Sequence, residues 1–342
     1  GVSDPTASGA GDGGRRDLAL LPKAHLHLHL EGSMRPTTLR SLCERNGLEA
    51  PQIRGFGSFA AFAETYVAAC SVLRAPGDLG RLIDEVVADA ATDGCRWIEP
   101  AFYPAHHEER LGPQRDVWEM AVEFGESASR RHGVGVGWIA GLDRTREPEF
   151  ADGVLDVVLD LLGEGAPIVG LGLHNDEAWH PPEPFERQFA RAAEGGLLRV
   201  PHAGELEGPE SVRGALEVLG AQRIQHGVRA VEDESLLAEL AGRGELLDVS
   251  PTSNVMLGVV ERLEDHPLPQ LMAAGVRCSL NADDPLLFGP GILEEYELAR
   301  SELGLDDHAL AALARNSFAG SAAPDHLVAS AQLGIEQWLE RA

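Results

Sequence analysis

Four short segments place side chains that bind metals or transfer protons at the ends of apolar stretches. They are His25-Leu-His27-Leu-His29-Leu-Glu31-Gly32, His202-Ala-Gly-Glu205, Gln225-His226-Gly227 and Asn281-Ala-Asp283-Asp284. Imidazole and carboxylate groups are the usual ligands of a catalytic zinc ion, which keeps one coordination position open for water. Any one segment alone is a weak signal, but the four in this order indicate a zinc-dependent hydrolase.

The first segment carries histidines at alternate positions. In a β-strand alternate side chains share a face, so His25, His27 and His29 are predicted to point the same way. Two of them could bind one metal ion, together with His202 at the end of a later strand and Asp283. A single histidine is more often hydrogen-bonded to the backbone, but the repeated pattern before Glu-Gly favours the metal.

Three further side chains could transfer protons beside such a metal. Zinc lowers the pKa of bound water towards about 7, which makes a nucleophile available near neutral pH. Glu205 lies three residues after His202 and could protonate a substrate nitrogen. His226 could hold or deprotonate the water. Asp284, next to Asp283, is predicted to face the substrate, although an aspartate before Pro285 could also cap a helix.

Strand-like apolar runs alternate with longer helical patterns along the chain. The predicted strands are residues 24–30, 96–102, 135–141, 168–173, 198–202, 223–225, 246–249 and 277–281. Eight β-then-α units without a linker-like break predict an α/β fold, a (β/α)8 TIM barrel, whose site residues gather at the C-terminal ends of the strands. A doubly wound open sheet is the alternative, but the turn after its first strand is normally rich in glycine, and here it is rich in histidine.

Residues 35–77 form a long, largely helical insertion after the first predicted strand. The insertion contains Phe56, Phe59, Phe62 and Tyr66. These aromatic side chains could simply pack on the barrel. Alternatively, the insertion could be a lid over the mouth, where barrel active sites lie.

Composition restricts the class of protein. The chain has 342 residues, 44% of them hydrophobic, which suits a single barrel domain over residues 18–342. Residues 1–17 lack an apolar segment and are predicted to be a flexible tail. A net charge of −27 disfavours nucleic acid and anionic membranes as partners. Four scattered cysteines, and no apolar stretch of transmembrane length, predict a cytoplasmic protein.

From about Leu21 to Phe318 the chain resembles the adenosine deaminase family of zinc aminohydrolases. The similarity lies in Leu-Pro-Lys-Ala-His-Leu-His-Leu-His-Leu-Glu-Gly (21–32), His-Ala-Gly-Glu (202–205), Arg-Ile-Gln-His-Gly (223–227), Ser-Pro-Thr-Ser-Asn (250–254) and Ser-Leu-Asn-Ala-Asp-Asp-Pro (279–285), which follow in the family order. The resemblance implies one zinc ion (Zn2+) per chain, bound by His27, His29, His202 and Asp283. It leaves His25 outside the ligand set.

The resemblance also implies a mechanism. Water activated by the metal and oriented by His226 and Asp284 attacks C6 of a 6-aminopurine. Glu205 protonates N1, Asp284 hydrogen-bonds N7, and ammonia leaves. The predicted activity is hydrolytic deamination of a 6-aminopurine nucleoside, a small-molecule substrate of purine metabolism.

Departures from the family pattern concern substrate recognition. The family commonly has Asp-Gly where this chain has Glu31-Gly32, and often Gly-Asp-Glu where it has Asn175-Asp176-Glu177. The end of the second strand, Glu99–Pro104, lacks the arginine usual there. The predicted substrate-binding residues are His29, Glu31, Asn175 and Asp284. Adenosine, free adenine and aminodeoxyfutalosine all stay open as substrates.

Four more histidines, His106, His107, His174 and His180, fall in or near predicted loops at the barrel mouth. His174 is predicted to contact substrate, whereas the other three are predicted to be solvated. The sequence makes no prediction about the oligomeric state.

Other functions fit the residues less well. Deamination of free adenine is the alternative, because Glu31 could fill the volume of a ribose. Two-metal amidohydrolases use a bridging lysine or glutamate in the fourth strand, which residues 168–175 do not contain. A catalytically silent binding protein would be expected to have lost a ligand or the proton donor. The cytidine-type deaminases need a Pro-Cys-x-x-Cys motif that this chain lacks.

Overall fold

The computed structural model describes residues 15–53 and 55–341. The predicted tail, residues 1–17, therefore lies mostly outside the described residues. Within it, Arg16 Nη1 donates a hydrogen bond to Asp307 Oδ2 at 2.8 Å, and Asp17 caps a 3-10 turn at Leu18–Leu20. Across the two described ranges, no helix has the length and apolar character needed to span a membrane.

Ten strands make up the eight barrel positions. They are β1 Lys23–His29, β2 Cys95–Phe102, β3 Gly135–Val136, β4 Trp138–Asp143, β5 Ile168–His174, β6 Leu198–Arg199, β7 His202–Ala203, β8 Arg223–His226, β9 Leu246–Val249 and β10 Arg277–Leu280. The two short pairs, β3 with β4 and β6 with β7, are each one predicted strand with a break. All strand pairings are parallel among the described residues.

The strands form two sheets that meet at two junctions. One sheet has the order β1-β2-β4-β5-β6, with β3 paired to β2, and the other has the order β10-β9-β8-β7. At one junction Leu28 of β1 bridges Asp283, just beyond β10. At the other, the fifth barrel strand leaves the first sheet after β6 and joins the second sheet as β7. This parallel arrangement, surrounded by helices, confirms the predicted α/β barrel.

Fifteen α-helices lie in the described part of the chain. They are α1 Pro36–Arg45, α2 Phe59–Cys70, α3 Pro76–Thr92, α4 Glu108–Leu111, α5 Gln114–His132, α6 Pro148–Gly163, α7 Glu186–Glu194, α8 Pro209–Glu217, α9 Glu234–Arg243, α10 Pro251–Met256, α11 Leu268–Ala273, α12 Pro285–Phe288, α13 Ile292–Ser301, α14 Asp307–Ala319 and α15 Asp325–Glu340. Local chemistry sets their ends. In α9, Asp233 accepts the first free N–H groups, and Gly244 takes a φ of 80° just past the last turn. Helices α1 and α2 belong to the predicted insertion.

Strand β1 is buried on both faces, as a barrel strand should be. Leu26 and Leu28 are fully buried on the face opposite to the histidines, and α14 packs against this strand. In a strand with this arrangement, the apolar positions attach β1 to the helical layer. The alternate positions remain available for chemistry inside the barrel.

The barrel interior next to the histidines contains a buried ion cluster. Arg223 lies 2.8 Å from Glu99 and 3.0 Å from Asp248, and all three side chains are at most 1% exposed. Burying charge is costly unless each group is paired and hydrogen-bonded. Here Ser279 Oγ also donates to Asp248 at 2.7 Å, and Trp97 Nε1 donates to Glu99 at 2.8 Å. In the barrel interior beside His27, one arginine therefore pairs with two carboxylates, and each carboxylate accepts a further hydrogen bond.

Candidate active site

The alternate histidines of β1 meet a carboxylate from the last barrel strand. His27 Nε2 lies 3.2 Å and His29 Nε2 lies 3.1 Å from Asp283 Oδ1. His27 Nδ1 lies 3.0 Å from the carbonyl oxygen of Asp248, which can only accept a hydrogen bond, so Nδ1 is the donor. The Nε2 atom of a neutral His27 therefore offers a lone pair towards Asp283, as a metal ligand requires.

Asp283 is held in place by backbone and side chain together. Its N–H donates to His27 O at 3.0 Å, and its carbonyl accepts from His29 N–H at 3.1 Å. Ser253 Oγ donates to Asp283 Oδ2 at 2.9 Å. This leaves Oδ1 of Asp283 directed at the two histidines.

The residues present fit a divalent metal ion. One potential ligand atom from each of His27, His29, His202 and Asp283 lies within 4.8 Å of the others. Among the buried polar atoms without a hydrogen-bond partner are His27 Nε2, His202 Nδ1 and Asp283 Oδ1. Leaving buried polar atoms unsatisfied is costly, and His27 Nε2 and Asp283 Oδ1 lie 3.2 Å apart, so a cation bound between these side chains would satisfy both atoms.

His25 lies outside this group although it shares the strand face. Its Nε2 accepts a hydrogen bond from the N–H of Ala282 at 3.0 Å, so that lone pair is already used. The structure thus places His25 in a backbone-supporting position next to Asp283.

A second group of potential ligands does not have the same character. Ligand atoms of Glu31, Cys70 and His107 lie within 4.8 Å of one another. However, Glu31 is hydrogen-bonded to His107, and Arg110 Nη2 lies 3.2 Å from His107 Nδ1. Since the carboxylate and the imidazole are satisfied by protein groups, this cluster does not call for an ion.

The loop that carries Glu205 is built around the carboxylate of Glu177. Oε1 of Glu177 accepts the N–H groups of Glu205, Leu206 and Glu207 at 2.8–3.1 Å. Oε2 accepts the N–H of Gly204 at 2.8 Å and the hydroxyl of Ser211. Five hydrogen bonds to one carboxylate fix the turn after β7.

Glu205, His226 and Asp284 all line the pocket beside the metal-ligand group. Glu205 Oε1 lies 3.3 Å from His226 Nε2, which in turn lies 3.5 Å from Asp283 Oδ2. Burial, and then the nearby charge of Asp283, hold the pKa values of Glu205 and Asp284 well above their usual range. Burial also holds the pKa of His226 well below its usual range. Burial thus favours the uncharged forms of both carboxyl groups and of the imidazole.

Residue 32 must be a glycine because the carboxyl group of Asp284 lies directly against it. A Cβ atom on Gly32 would lie 1.7 Å from Asp284 Oδ1. Asp284 immediately precedes α12, but its side chain makes no capping hydrogen bond. The carboxyl group is instead directed into the pocket, as predicted for a substrate-facing group.

Strained backbone is concentrated at this site. Four non-glycine residues among those described have positive φ angles, and three of them are Asn175 (80°), His226 (73°) and Asp283 (62°). The left-handed conformation costs roughly 1–2 kcal/mol for a residue with a Cβ. Such strain persists where the surrounding structure fixes it, often at functional positions.

The insertion forms one wall of the pocket. Phe59, Phe62, Ala63, Tyr66 and Val67 of α2 line it, opposite the histidines and carboxylates. Phe62 stacks on Phe288 of α12 with ring centroids 5.3 Å apart. The aromatic residues therefore pack on the barrel and also border the site, while the lid function of the insertion stays a prediction.

Glu31 is fixed in the pocket wall by two residues distant in sequence. Tyr66 OH donates to Glu31 Oε2 at 2.6 Å, and His107 Nε2 lies 2.6 Å from Glu31 Oε1. Burial raises the pKa of Glu31, but the hydrogen bond and charge of His107, and then the hydrogen bond from Tyr66, outweigh it and lower the pKa to about 2. The prediction that His107 is solvated is wrong: its side chain is fully buried because it supports Glu31.

Other residues at the barrel mouth lie where the strands β2, β4 and β5 end. Asn175 Nδ2 donates to Asp143 Oδ1 at 3.1 Å, and both residues line the pocket with His174 and His106. The ring of His174 lies 5.0 Å from that of His29 and 4.8 Å from that of His202. His174 is thus beside the metal-ligand group and faces the cavity.

Several contributing residues were not predicted from sequence. Glu177 was noted only as part of a motif, and Ser253 and Tyr66 were given no role at the site. A Ser-Asn pair after a strand end could have suggested hydrogen bonds to site residues. The role of Glu177 had no sequence signal, because the sequence does not distinguish a buried loop glutamate from an exposed one.

Comparison with known proteins places this chain among deaminases. A family model described as Adenosine deaminase matches residues 22–333. A Streptomyces virginiae protein named “Putative adenosine/adenine deaminase” is 44% identical over 335 residues, covering 95% of this chain and 98% of that protein. A protein of Streptomyces coelicolor named adenine deaminase is 38% identical over 312 residues, covering 89% of this chain and 91% of that protein.

Solved structures agree with these sequence matches. The crystal structure of an adenine deaminase from Arthrobacter aurescens superposes with a TM-score of 0.87 at 34% identity, covering 94% of this chain and 99% of that one. An amidohydrolase from Burkholderia ambifaria with bound Zn superposes with a TM-score of 0.85 at 26% identity, covering 94% and 93% of the two chains. With its motifs, its fold and nearly its whole length matched, the chain belongs to the adenosine deaminase family.

Proposed function

We propose that this protein hydrolyses the exocyclic amine of a 6-aminopurine, with one zinc ion held by His27, His29, His202 and Asp283. The observation that supports this most is the convergence of those four side chains, with unsatisfied buried atoms, beside Glu205. When bound, zinc acts as a Lewis acid that makes a water molecule nucleophilic near neutral pH. The membership of the chain in a deaminase family supports the same chemistry.

The chain's own residues supply the proton transfers. Glu205, protonated because it is buried, delivers its proton to N1 as the oxygen of water bonds to C6. The bond from C6 to the exocyclic nitrogen then breaks, and the nitrogen leaves as ammonia. One hydrogen of the water ends on the ammonia, and the other restores Glu205. Asp284, also protonated, can donate a hydrogen bond to N7 and orient the ring.

The test of this activity is ammonia release by the zinc-loaded protein from adenine, adenosine and aminodeoxyfutalosine. The variant Glu205→Gln keeps the shape of the side chain but cannot supply the proton. It is expected to bind one zinc per chain, by metal analysis, and to lose about 10²–10⁴ in kcat. Near-normal turnover by this variant would remove Glu205 from its role, and no ammonia from any of the three substrates would refute the activity.

Within this activity, the proposed substrate is free adenine, ahead of the nucleoside that the sequence placed first. Glu31 is an ionised carboxylate fixed by Tyr66 and His107. A free purine base carries a ring N–H where a nucleoside carries its sugar, and a carboxylate is a strong acceptor for such a donor. Homologues named adenine deaminase support the same choice.

Three substrates separate the hydrogen-bond argument from a purely steric one. Adenine has the ring N–H, 9-methyladenine lacks it but is nearly as small, and adenosine is larger. We expect kcat/KM to be highest for adenine and lower by about tenfold or more for 9-methyladenine, since a lost bond to a charged group costs about 1.5–3 kcal/mol. Equal turnover of adenine and 9-methyladenine would contradict a role for the Glu31 charge, and a preference for adenosine would reverse the assignment.

A further inference from the structure

A chain of hydrogen bonds runs from the backbone of α11 to the ring of His226. The N–H of Leu268 donates to His266 Nδ1 at 3.0 Å. His266 Nε2 lies 2.8 Å from Asn254 Oδ1, and Asn254 Nδ2 lies 3.2 Å from His226 Nδ1. The side chains of His266, Asn254 and His226 are at most 3% exposed. Water is therefore not a competing partner along this chain.

The first link determines the direction of all the others. A backbone N–H can only donate, so His266 Nδ1 is an acceptor and the ring proton of His266 sits on Nε2. That proton requires the oxygen of the Asn254 amide to face His266, which fixes the otherwise ambiguous orientation of the amide. The NH2 group of Asn254 then donates to His226 Nδ1. The single proton of a neutral His226 must lie on Nε2.

We infer that Asn254 and His266 are positioning residues that set the tautomer of His226, so that its Nε2–H faces the active site as a donor. Nε2 lies 3.3 Å from Glu205 Oε1 and 3.5 Å from Asp283 Oδ2, where an N–H can be shared with an oxygen of the site. The sequence left two roles for His226, to hold the water or to deprotonate it. This tautomer favours the role of holding the water over that of deprotonating it, because Nε2 has no free lone pair in the resting enzyme.

The consequence for catalysis rests on the proposed function, whereas the tautomer itself does not. A donor fixed before the reaction can stabilise negative charge on the attacking oxygen without reorganisation. Two residues outside the pocket lining, Asn254 and His266, would thus be required for full activity although they touch no substrate.

The variant Asn254→Asp reverses the last link while preserving the shape of the side chain. One carboxylate oxygen can still accept from His266 Nε2–H. The other cannot donate to His226 Nδ1, so His226 must place a proton there. Asn46→Asp is the matched control, because Asn46 lies at the end of α1 and its side chain donates to a local carbonyl, Leu42 O.

The test uses zinc-loaded protein with ¹⁵N-labelled histidine and two-bond ¹H–¹⁵N NMR, with His226→Gln to assign the signals. In the wild type and in Asn46→Asp, His226 is expected to show protonated Nε2 and unprotonated Nδ1. In Asn254→Asp, Nδ1 is expected to be protonated. The same variant is expected to lose about 10²–10³ in kcat, the usual effect of removing one such donor, with a smaller change in KM and a shifted pH profile.

Either of two NMR results would overturn the inference: a wild-type His226 protonated on Nδ1, or an Asn254→Asp signal pattern identical to that of the wild type. His266→Phe adds an independent check, because it frees the Asn254 amide to rotate and is expected to give a mixture of His226 tautomers. The outcomes separate the two proposals. A correct tautomer with no deaminase activity refutes the proposed function alone, and an active enzyme with the other tautomer refutes this inference alone.

Discussion

Replacing Glu177 by glutamine would show how firmly the Glu205 loop must be held. Glutamine keeps one acceptor oxygen, which can serve the N–H groups of Glu205, Leu206 and Glu207. Its NH2 group then faces the N–H of Gly204 and the hydroxyl of Ser211. The hydroxyl can rotate to accept, but the Gly204 N–H becomes a buried donor without an acceptor.

The magnitude follows from these contacts. The orphaned Gly204 N–H costs about 1–3 kcal/mol, and each of the three remaining bonds loses roughly 1 kcal/mol when its acceptor loses its charge. Glu177→Gln is therefore expected to lower the free energy of unfolding by about 4–6 kcal/mol. Because even a 1 Å displacement of a reacting group can reduce a rate about 10²-fold, kcat should fall by a similar factor.

Urea unfolding followed by circular dichroism measures the stability, and ammonia release measures kcat. Glu210→Gln is the matched control, since Glu210 is exposed on α8 and should change the unfolding free energy by less than about 0.5 kcal/mol. If Glu177→Gln unfolds like this control and keeps wild-type kcat, Glu177 does not anchor the loop.

Three other predictions follow from single contacts. Ser253→Ala removes the donor to Asp283 Oδ2 and should weaken zinc binding about 10–100-fold in a chelator competition; unchanged affinity would contradict that role. Gly32→Ala should displace Asp284 and reduce kcat with zinc content unchanged, whereas Gly153→Ala, with open space around it in α6, should keep kcat and add about 0.5–1 kcal/mol of stability. Burial raises the pKa of Glu295 from 4.5 to about 8, so the wild type should lose stability as pH rises from 4.5 to 8. Glu295→Gln should match the wild type near pH 4 and exceed it at pH 9 by up to about 5 kcal/mol, at 1.36 kcal/mol per pKa unit; parallel stability curves in denaturant titrations would show that Glu295 is not the cause.

Much of the barrel could be predicted because its signals are local. Each strand is an apolar run of a few residues, and each predicted strand is present with its ends moved by no more than two positions. The alternation of His25, His27 and His29 fixes which side chains share a face, whatever surrounds the strand. Asp283 could be placed in the same local way, because it directly follows the final predicted strand, and there it meets His27.

The rest depends on contacts between distant segments. Tyr66 and His107 reach Glu31 from 35 and 76 residues away, so their partnership depends on where α2 and the loop after β2 settle. His107 was predicted to be a solvated loop residue because nothing near it in the sequence indicates its contact with Glu31. Likewise, the five donors around Glu177 include four backbone N–H groups. Backbone donors carry no residue-type signal, so sequence patterns could not reveal this carboxylate as an anchor.

Because the barrel strands form two sheets, a bound metal ion would also connect separate parts of the fold. His27 and His29 belong to one sheet. His202 lies in β7, where the chain enters the other sheet, and Asp283 lies just beyond β10 of that sheet, where it bridges Leu28 of β1. An ion held by all four residues would connect the two sheets of the barrel at both junctions. Binding of the ion should therefore slow amide hydrogen exchange at Leu28 and Ala203 by the factor that corresponds to the free energy of ion binding. Removal of the ion should reduce protection at the two junctions before it does so in the surrounding helices.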